Sequence, residues 1–317
     1  MDVVVLGEPL VEFSADHALT EAATFHLSFS GDALNAAVAA AAQGARVALV
    51  TRVGADEFGE RLVRFAAGRS VEVRWMARGE GSTGAYAVGA DPSGERAFVY
   101  LRHGSAASRM GREDVDRSPV AAARVVLLSG VTAAISATCA EAVRHAAMTA
   151  SGRVVYDPNF RSRLTTPEAA RAVLRDVAPH AALVKISCPG DSLPLLGCTD
   201  PGEVVRACRA LGAGAVAVTL GGDGVLLAEG DREPVHLPAF PAERIVDQTG
   251  AGDVLAGTVC AFLARREPAA AAVRAGMAAA AVSLSGRGGT GRSATPHEID
   301  ALLRQAGAGP LTGSPRG

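Results

Sequence analysis

Asp247-Gln248-Thr249-Gly250-Ala251-Gly252-Asp253 runs without a break into the apolar stretch Val254-Leu255-Ala256-Gly257. That stretch continues as a helix, so Gly250, Ala251 and Gly252 fall at a helix N-terminus. Backbone N–H groups there lack intrahelical partners and the helix dipole is positive, which suits a phosphate anion. Three small residues let a phosphoryl group approach the main chain. Asp253 supplies a carboxylate able to take the proton of an attacking hydroxyl. An anion cradle beside a general base is the minimal equipment for phosphorylating an alcohol. A Gly-rich turn capped by Asp is the plainer reading, and it accounts less well for the carboxylates at both ends and the helix behind them.

Outward from this stretch, strand and helix patterns alternate. Strands are expected at 3–6, 46–51, 125–128, 153–156, 182–186 and 215–220. Between and after them come helices at 32–43 (closed by Gly44), 57–67 (ending at Gly68), 139–150, 167–177, 202–211, 253–265, 268–284 and 297–305. The order predicts an α/β fold with a doubly wound, mostly parallel sheet flanked by helices, a single domain over 1–317. Residues 9–30 and 71–104 break the rhythm with short alternating runs. The turn signal Asp91-Pro92-Ser93-Gly94 among them points to antiparallel hairpins. They are expected to form a small β-sheet lid over the edge that carries the active-site loops. Residues 307–317 are Gly/Pro-rich and expected to fray.

At 317 residues the chain is long enough for a sizeable core, and its formal charge of −2 offers no basic face for nucleic acid or an anionic membrane. The five cysteines are odd in number and lack C-x-x-C spacing, which suits reduced thiols in a cytoplasmic protein. Met1-Asp2-Val3-Val4-Val5-Leu6 reaches Gly7-Glu8 too soon for a signal peptide. The Ala-rich windows 36–42 and 269–282 are interrupted or flanked by polar residues and are not read as spanning segments. Lys185 is the one lysine among 31 basic residues and reads as base-composition bias. No P-loop pattern occurs. The G-x-G-x-x-[GA] matches at 212–217 and 286–291 lack the strand–turn–helix setting of a dinucleotide site. The seven histidines are dispersed, without metal-ligand spacing.

Four further segments carry chemistry. Ser30-Gly31-Asp32-Ala33-Leu34-Asn35 opens a helix and by itself reads first as an ordinary N-cap by Ser30 or Asp32. In Tyr100-Leu101-Arg102, a strand would turn the phenol and the guanidinium to one face. That pairing suits an acid sugar, through one hydrogen bond and one bidentate carboxylate clamp. Asp157-Pro158-Asn159-Phe160-Arg161 follows a strand, where open α/β sheets bind ligands, and Arg161 could hold the same carboxylate or a phosphoryl group. Thr219-Leu220-Gly221-Gly222-Asp223-Gly224 reads by itself as a hairpin turn.

The 247–253 segment closely resembles the D-T-x-G-A-G-D signature of the ribokinase-like (PfkB-type) carbohydrate kinases. The resemblance runs the length of the chain, from Gly7-Glu8-Pro9-Leu10-Val11 through the final helices. Gly31 and Asn35 resemble a G-G-x-x-x-N segment that hydrogen-bonds sugar hydroxyls, with Ser30 in place of its first Gly. In Gly31-Asp32-x-Leu34-Asn35, Tyr100-x-Arg102 and the aromatic Tyr86, the chain is most similar to 2-keto-3-deoxygluconate kinases. The D-x-N-x-R segment ending at Arg161 is shared by those kinases and fructokinases. The resemblance implies an ATP-dependent sugar kinase with Mg²⁺ and a monovalent cation. In it Asp253 is the base, the backbone of Gly250, Ala251 and Gly252 stabilises charge, and Gly31, Asp32, Asn35, Tyr86, Tyr100, Arg102 and Arg161 hold the sugar. Nucleotide contacts are implied for Ser187, Thr219, Gly221, Gly222, Gly224 and the 250–252 turn, and a homo-oligomer through the lid is expected.

Two departures stand out. Ser187-Cys188-Pro189-Gly190-Asp191 replaces an N-x-x-E that organises Mg²⁺, so Asp191, with Asp247, becomes the expected metal ligand. Gly276 stands where an Asn often lines the adenine pocket. The alternatives are a fructokinase or other neutral-sugar kinase and, in another class, a non-catalytic sugar-binding regulator. The intact Asp253 and its glycines argue against the regulator.

Overall fold

Residues 1–90 and 96–307 are described by a computed structural model. The turn expected at 91–94 and most of the tail expected to fray, 308–317, lie outside them. The chain begins with β1 (Val3–Leu6), β2 (Leu10–Ala18), β3 (His26–Ser30), α1 (Asp32–Ala42), β4 (Val47–Gly54) and α2 (Glu57–Gly68). Next come β5 (Val71–Glu72), β6 (Met76–Gly79), β7 (Ala85–Ala90), β8 (Arg96–Leu101), β9 (Val125–Ser129), α3 (Ala137–Thr149) and β10 (Arg153–Asp157). They are followed by α4 (Pro167–Val177), β11 (Ala181–Ser187), α5 (Pro201–Ala210), β12 (Ala215–Thr219), β13 (Val225–Glu229) and β14 (Val235–Leu237). The last helices numbered here are α6 (Ala251–Ala264), α7 (Ala269–Ser283) and α8 (Pro296–Gln305).

The central sheet has the order β14-β13-β12-β11-β10-β9-β1-β4-β5, with β6 also on β4. Pairing is parallel from β12 through β4 to β5 and β6, and antiparallel only through β13 and β14. Val3 to Leu6 are all buried, as an unbroken apolar run must be when helices cover both faces of a sheet. The expected α/β class and mostly parallel sheet hold.

The two Ala-rich windows lie in α1 and α7, and α1 with α6 forms a buried helical layer. Every residue of α6 from Val254 to Ala264 is buried, as are Ala33 to Ala41 of α1. These two helices pack backbone to backbone at Gly257, where an added Cβ would lie 2.1 Å from the Ala36 carbonyl oxygen. Among the described residues, no helix is long and apolar enough to cross a membrane.

A second, four-stranded sheet has the order β3-β2-β7-β8. It departs from the expected hairpins in two ways. Residues 71–79 do not join it: β5 and β6 each pair in parallel with β4, the usual outcome when a strand returns after a crossover helix. And β2 runs parallel to β7, because the long excursion through α1, β4 and α2 separates them, whereas β2–β3 and β7–β8 are antiparallel. A smaller correction concerns α2, where Gly68 is its last residue and Ser70 takes the left-handed conformation at φ 61°.

Candidate active site

The carboxyl ends of the central strands and the small sheet bound a cavity of about 830 Å³. One wall comes from the β3–α1 junction (Ser30, Gly31, Asp32, Asn35), another from Tyr86, Phe98, Tyr100 and Arg102. Asn159, Arg161 and Arg163 follow β10, and 247–250 with Asp253 close the circle. Gly31, Asp32, Asn35, Tyr86, Tyr100, Arg102, Arg161, Asp247, Gly250 and Asp253, predicted separately from sequence, therefore share one space.

Helix α6 starts as its glycines require. Gly250 is the N-cap at φ 78°, and a Cβ there would meet Gly289 Cα at 2.8 Å and Asn35 Nδ2 at 2.9 Å. The Val254 N–H closes the first turn on the Gly250 carbonyl at 2.8 Å, and the Ala251 N–H reaches the Gln248 carbonyl at 3.3 Å. The Ala251 amide is thus partly engaged. Among the described residues, no backbone carbonyl accepts from the amides of Gly250, Gly252 and Asp253, as befits the first turn of a helix.

Asp253 Oδ2 accepts a hydrogen bond from Asn35 Nδ2 at 2.9 Å, across 218 residues of sequence. The Ser30 hydroxyl donates to Asn35 Oδ1 at 3.2 Å, which fixes the amide's orientation. Burial, then the neighbouring Asp32 carboxylate, push the Asp253 carboxyl up to about 7. A carboxyl with its proton affinity near neutrality is suited to accept a proton and release it again.

The small sheet contributes acids that hold its polar groups in place. Tyr86 donates its hydroxyl to Glu12 Oε2, while Ser28 Oγ donates to Glu12 Oε1 at 2.9 Å. Burial and the Glu12 charge drive the phenol above its ordinary range, so it stays a hydrogen-bond donor. Tyr100 stacks on Phe98, with ring centroids 6.4 Å apart. Arg102 lies just beyond β8 and is more committed than expected. Its Nη2 pairs with Glu8 Oε2 at 2.5 Å, and both side chains are more than nine-tenths buried. Glu8 also accepts from Ser105 Oγ at 2.5 Å. Desolvation raises the Glu8 carboxyl above its usual value, against the pull of Arg102. Arg161 and Arg163, by contrast, are exposed at the cavity.

The expected metal and nucleotide residues fare differently. Asp191 is buried and structural: Oδ1 accepts from the Phe160 amide at 2.7 Å, and Oδ2 from Ser187 N at 2.9 Å and Ser187 Oγ at 2.6 Å. It ties the β10 loop to the β11 loop, and the Ser187 hydroxyl is spent on that tie. Asp247 accepts from the Thr249 and Gly288 amides at 2.7 and 2.8 Å. No group of three or more Asp, Glu, His or Cys side chains suited to a metal occurs among the described residues. These residues do not make a dedicated Mg²⁺ cage. Asp191→Ala should therefore cost roughly 2–3 kcal/mol of stability through stranded amides, while the Mg²⁺ concentration for half-maximal rate stays unchanged. A shifted Mg²⁺ titration in a folded variant would return Asp191 to the metal site.

Thr219 pairs with Ser187 across β12 and β11, and Gly221 and Gly222 stand exposed with open space around them. Gly224 belongs to the hairpin instead, since a Cβ there would lie 2.1 Å from the Leu237 carbonyl oxygen. None of Ser187, Thr219, Gly221, Gly222 and Gly224 lines the 830 Å³ cavity. Gly276 is buried in the contact between α7 and α6, 2.8 Å from the Leu255 carbonyl oxygen at its missing Cβ, so a larger residue has no room. All five cysteines are free thiols.

Sequence reading missed Lys185, Glu8, Glu12 and Arg163. The lysine was visible as the single exception in an arginine-rich chain. Glu12 stands between Val11 and Phe13 in β2 and Glu8 just ahead of that strand, settings that do not by themselves distinguish a buried acid from an exposed one.

A carboxylate at a helix N-terminus, above the carboxyl ends of a parallel sheet and under a small second sheet, is the layout of a sugar phosphotransferase. Residues 1–296 match the family described as pfkB family carbohydrate kinase. The chain belongs to that family and is a carbohydrate kinase. It is 34% identical over 310 residues to a 2-dehydro-3-deoxygluconokinase of Thermoproteus tenax, covering 96% of this chain and 94% of the relative. It is 30% identical over 271 residues to fructokinase-2 of Zea mays, covering 83% and 80%. In fold it is similar to an Escherichia coli protein described as ribokinase II, solved in complex with ATP and Mg²⁺. The TM-score is 0.86 at 22% identity, covering 96% of this chain and 99% of that one.

Proposed function

We propose that this kinase transfers the γ-phosphoryl group of ATP to a hydroxyl of 2-keto-3-deoxygluconate (2-dehydro-3-deoxygluconate), giving its 6-phosphate. The observation that carries this reading is the Asp253 carboxyl, held by Asn35 at the start of α6 in a cavity that Arg161 and Arg163 also line. Asp253 Oδ2 is occupied by Asn35, which leaves Oδ1 to take the sugar hydroxyl's proton as that oxygen attacks phosphorus in line. The amides of Gly250, Gly252 and Asp253 at the helix start meet the charge gathering on the phosphoryl oxygens. Mg²⁺ arriving with the nucleotide would supply further charge neutralisation.

In this reading Gly31, Asp32 and Tyr86 contact sugar oxygens, and Arg161 with Tyr100 the acid end. The exposed Gly221 and Gly222 beside Thr219 leave room for a nucleotide. The sheet of β2, β3, β7 and β8 acts as a lid over the single kinase domain, excluding water from the transfer. Its edge strand β8 leaves Val99 and Leu101 about half exposed, which suits pairing with a second copy of this chain. A monomer's mass in dilute solution would overturn that pairing.

The Thermoproteus relative supports the acid sugar and the maize relative a neutral one. ADP release measured across 2-keto-3-deoxygluconate, fructose, ribose and nucleosides separates the two, and we expect turnover to be fastest on the acid. Arg161→Ala removes a charge-assisted contact of about 1.5–3 kcal/mol. It should lower kcat/KM roughly ten- to hundredfold on the acid and barely on fructose. Equal losses on both, or no turnover of the acid, would leave a kinase with a different sugar.

A further inference from the structure

Lys185 is the one lysine in a chain whose other thirty Lys and Arg positions are all arginine. It sits in β11 with its side chain 7% exposed, and its ammonium pairs with Asp157 Oδ2 at 2.7 Å. Asp157 is likewise buried and has a second role, since its Oδ1 accepts from the Asn159 amide at 3.2 Å. The lysine head lies directly against the first turn of α6, where a Cβ on Gly252 would be 2.9 Å from Nζ. A compact ammonium fits between the Asp157 carboxylate and the glycine, whereas the broad fork of an arginine would press on both. The phosphate-facing turn is thus built over a buried positive charge.

We propose that Lys185, fixed by Asp157, is a positioning residue whose buried charge keeps the Asp253 carboxylate free of its proton. The proposal rests on the reading of Asp253 as the base. Around Asp253 stand Asp32 from α1, Asp157 from β10, Lys185 from β11 and the Tyr86 phenol from β7, with the neutral Asn35 amide as its hydrogen-bond donor. Burial and Asp32 act to hold a proton on Asp253, and Lys185 is the cation that opposes them. Charges taken out of water act on one another far more strongly than exposed ones. Lys185 itself stays charged, because Asp157, Asp191 and Asp253 all favour its protonated form against the cost of burial.

Asp157 and Lys185 act on Asp253 with opposite sign, and that gives the test. A base works only when deprotonated, so activity falls as pH drops through the proton affinity of Asp253. The probe is the pH profile of ADP release at saturating MgATP, with 2-keto-3-deoxygluconate or whichever sugar the screen above selects. Lys185→Met should move the acid limb up by roughly one pH unit, which is about tenfold less activity at pH 6 and little change at pH 9. Asp157→Asn keeps the Asp157 oxygen for Asn159, leaves Lys185 uncompensated, and should move the limb down. The double variant Lys185→Met/Asp157→Asn removes both charges at nearly constant volume, so its limb should return close to the wild-type position.

Should Lys185→Met fail to fold around an unpaired Asp157, the downward shift in Asp157→Asn and the return in the double variant still decide. A limb that stays in place, or moves in one direction in both single variants, overturns the role of Lys185. An acid limb that persists in Asp253→Asn overturns the base assignment instead, so the two failures are distinguishable.

Discussion

Asp253→Asn should lower kcat by roughly 10²–10⁴-fold while leaving sugar affinity nearly intact. The amide keeps the carboxylate's shape, and its oxygen can still accept from Asn35 Nδ2, but it has no lone pair basic enough to take a proton. The same variant should lose the pH dependence of the wild type. In the native enzyme, burial and Asp32 set the Asp253 carboxyl at about 7, so kcat/KM should climb as pH rises through neutrality and level off above it. Steady-state ADP release from pH 5.5 to 9 is the measurement. Turnover within about threefold of wild type in Asp253→Asn would remove this residue from the chemistry.

Arg102→Ala should cost about 3–5 kcal/mol of folding stability, whichever sugar is present. Arg102 was expected to clamp a substrate carboxylate, but its first partner is Glu8, 2.5 Å away in an interior site. Removing the guanidinium strands a buried carboxylate beside Asp32, which also opposes its ionisation. Pairing the change with Glu8→Gln leaves no uncompensated charge and should recover much of the loss. Urea unfolding of the three variants reads this directly. If Arg102→Ala alone costs less than about 1 kcal/mol, the pair is no more than a surface-like contact.

The contrast between Arg161 and Arg102 shows how far residue types carry an argument. The alternation of strand and helix was legible because buried parallel strands are continuous apolar runs and helices end at caps and glycines. The expected α4 coincides with the helix found at Pro167–Val177. The turn before α6 was legible for the same local reason: small residues followed by an apolar helix have few other uses. Val71–Glu72 and Met76–Gly79 were misplaced because two- and four-residue strands are too short to show which sheet they join.

The charged interior was the least legible part. Asp191 stands near the place of an expected glutamate, and only the chain's path shows the Phe160 and Ser187 amides converging on it. Lys185 was set aside because composition explains a scarcity of lysine but not the position of the one that remains. Glu8 and Glu12 find their partners at Arg102 and Tyr86, far along the chain, so neither pair leaves a local trace.

The two ends of the cavity differ in how much freedom folding has already removed. Helix α6 is buried from Val254 to Ala264 and locked to α1 at Gly257, so the turn at its N-terminus is ordered before any ligand arrives. On the small sheet Leu10, Tyr86 and Val88 form a small apolar cluster with Phe98 and Tyr100 packed against it, while Val11, Phe29 and Ala85 join the main core. Whatever conformational entropy remains in the site resides there, and a bound sugar must supply the free energy to quench it. A sugar that touches both ends meets that cost in full, whereas one that reaches only the α6 end binds without settling the sheet. Discrimination among sugars would then show less in how tightly they bind than in how often the bound complex is ordered enough to react.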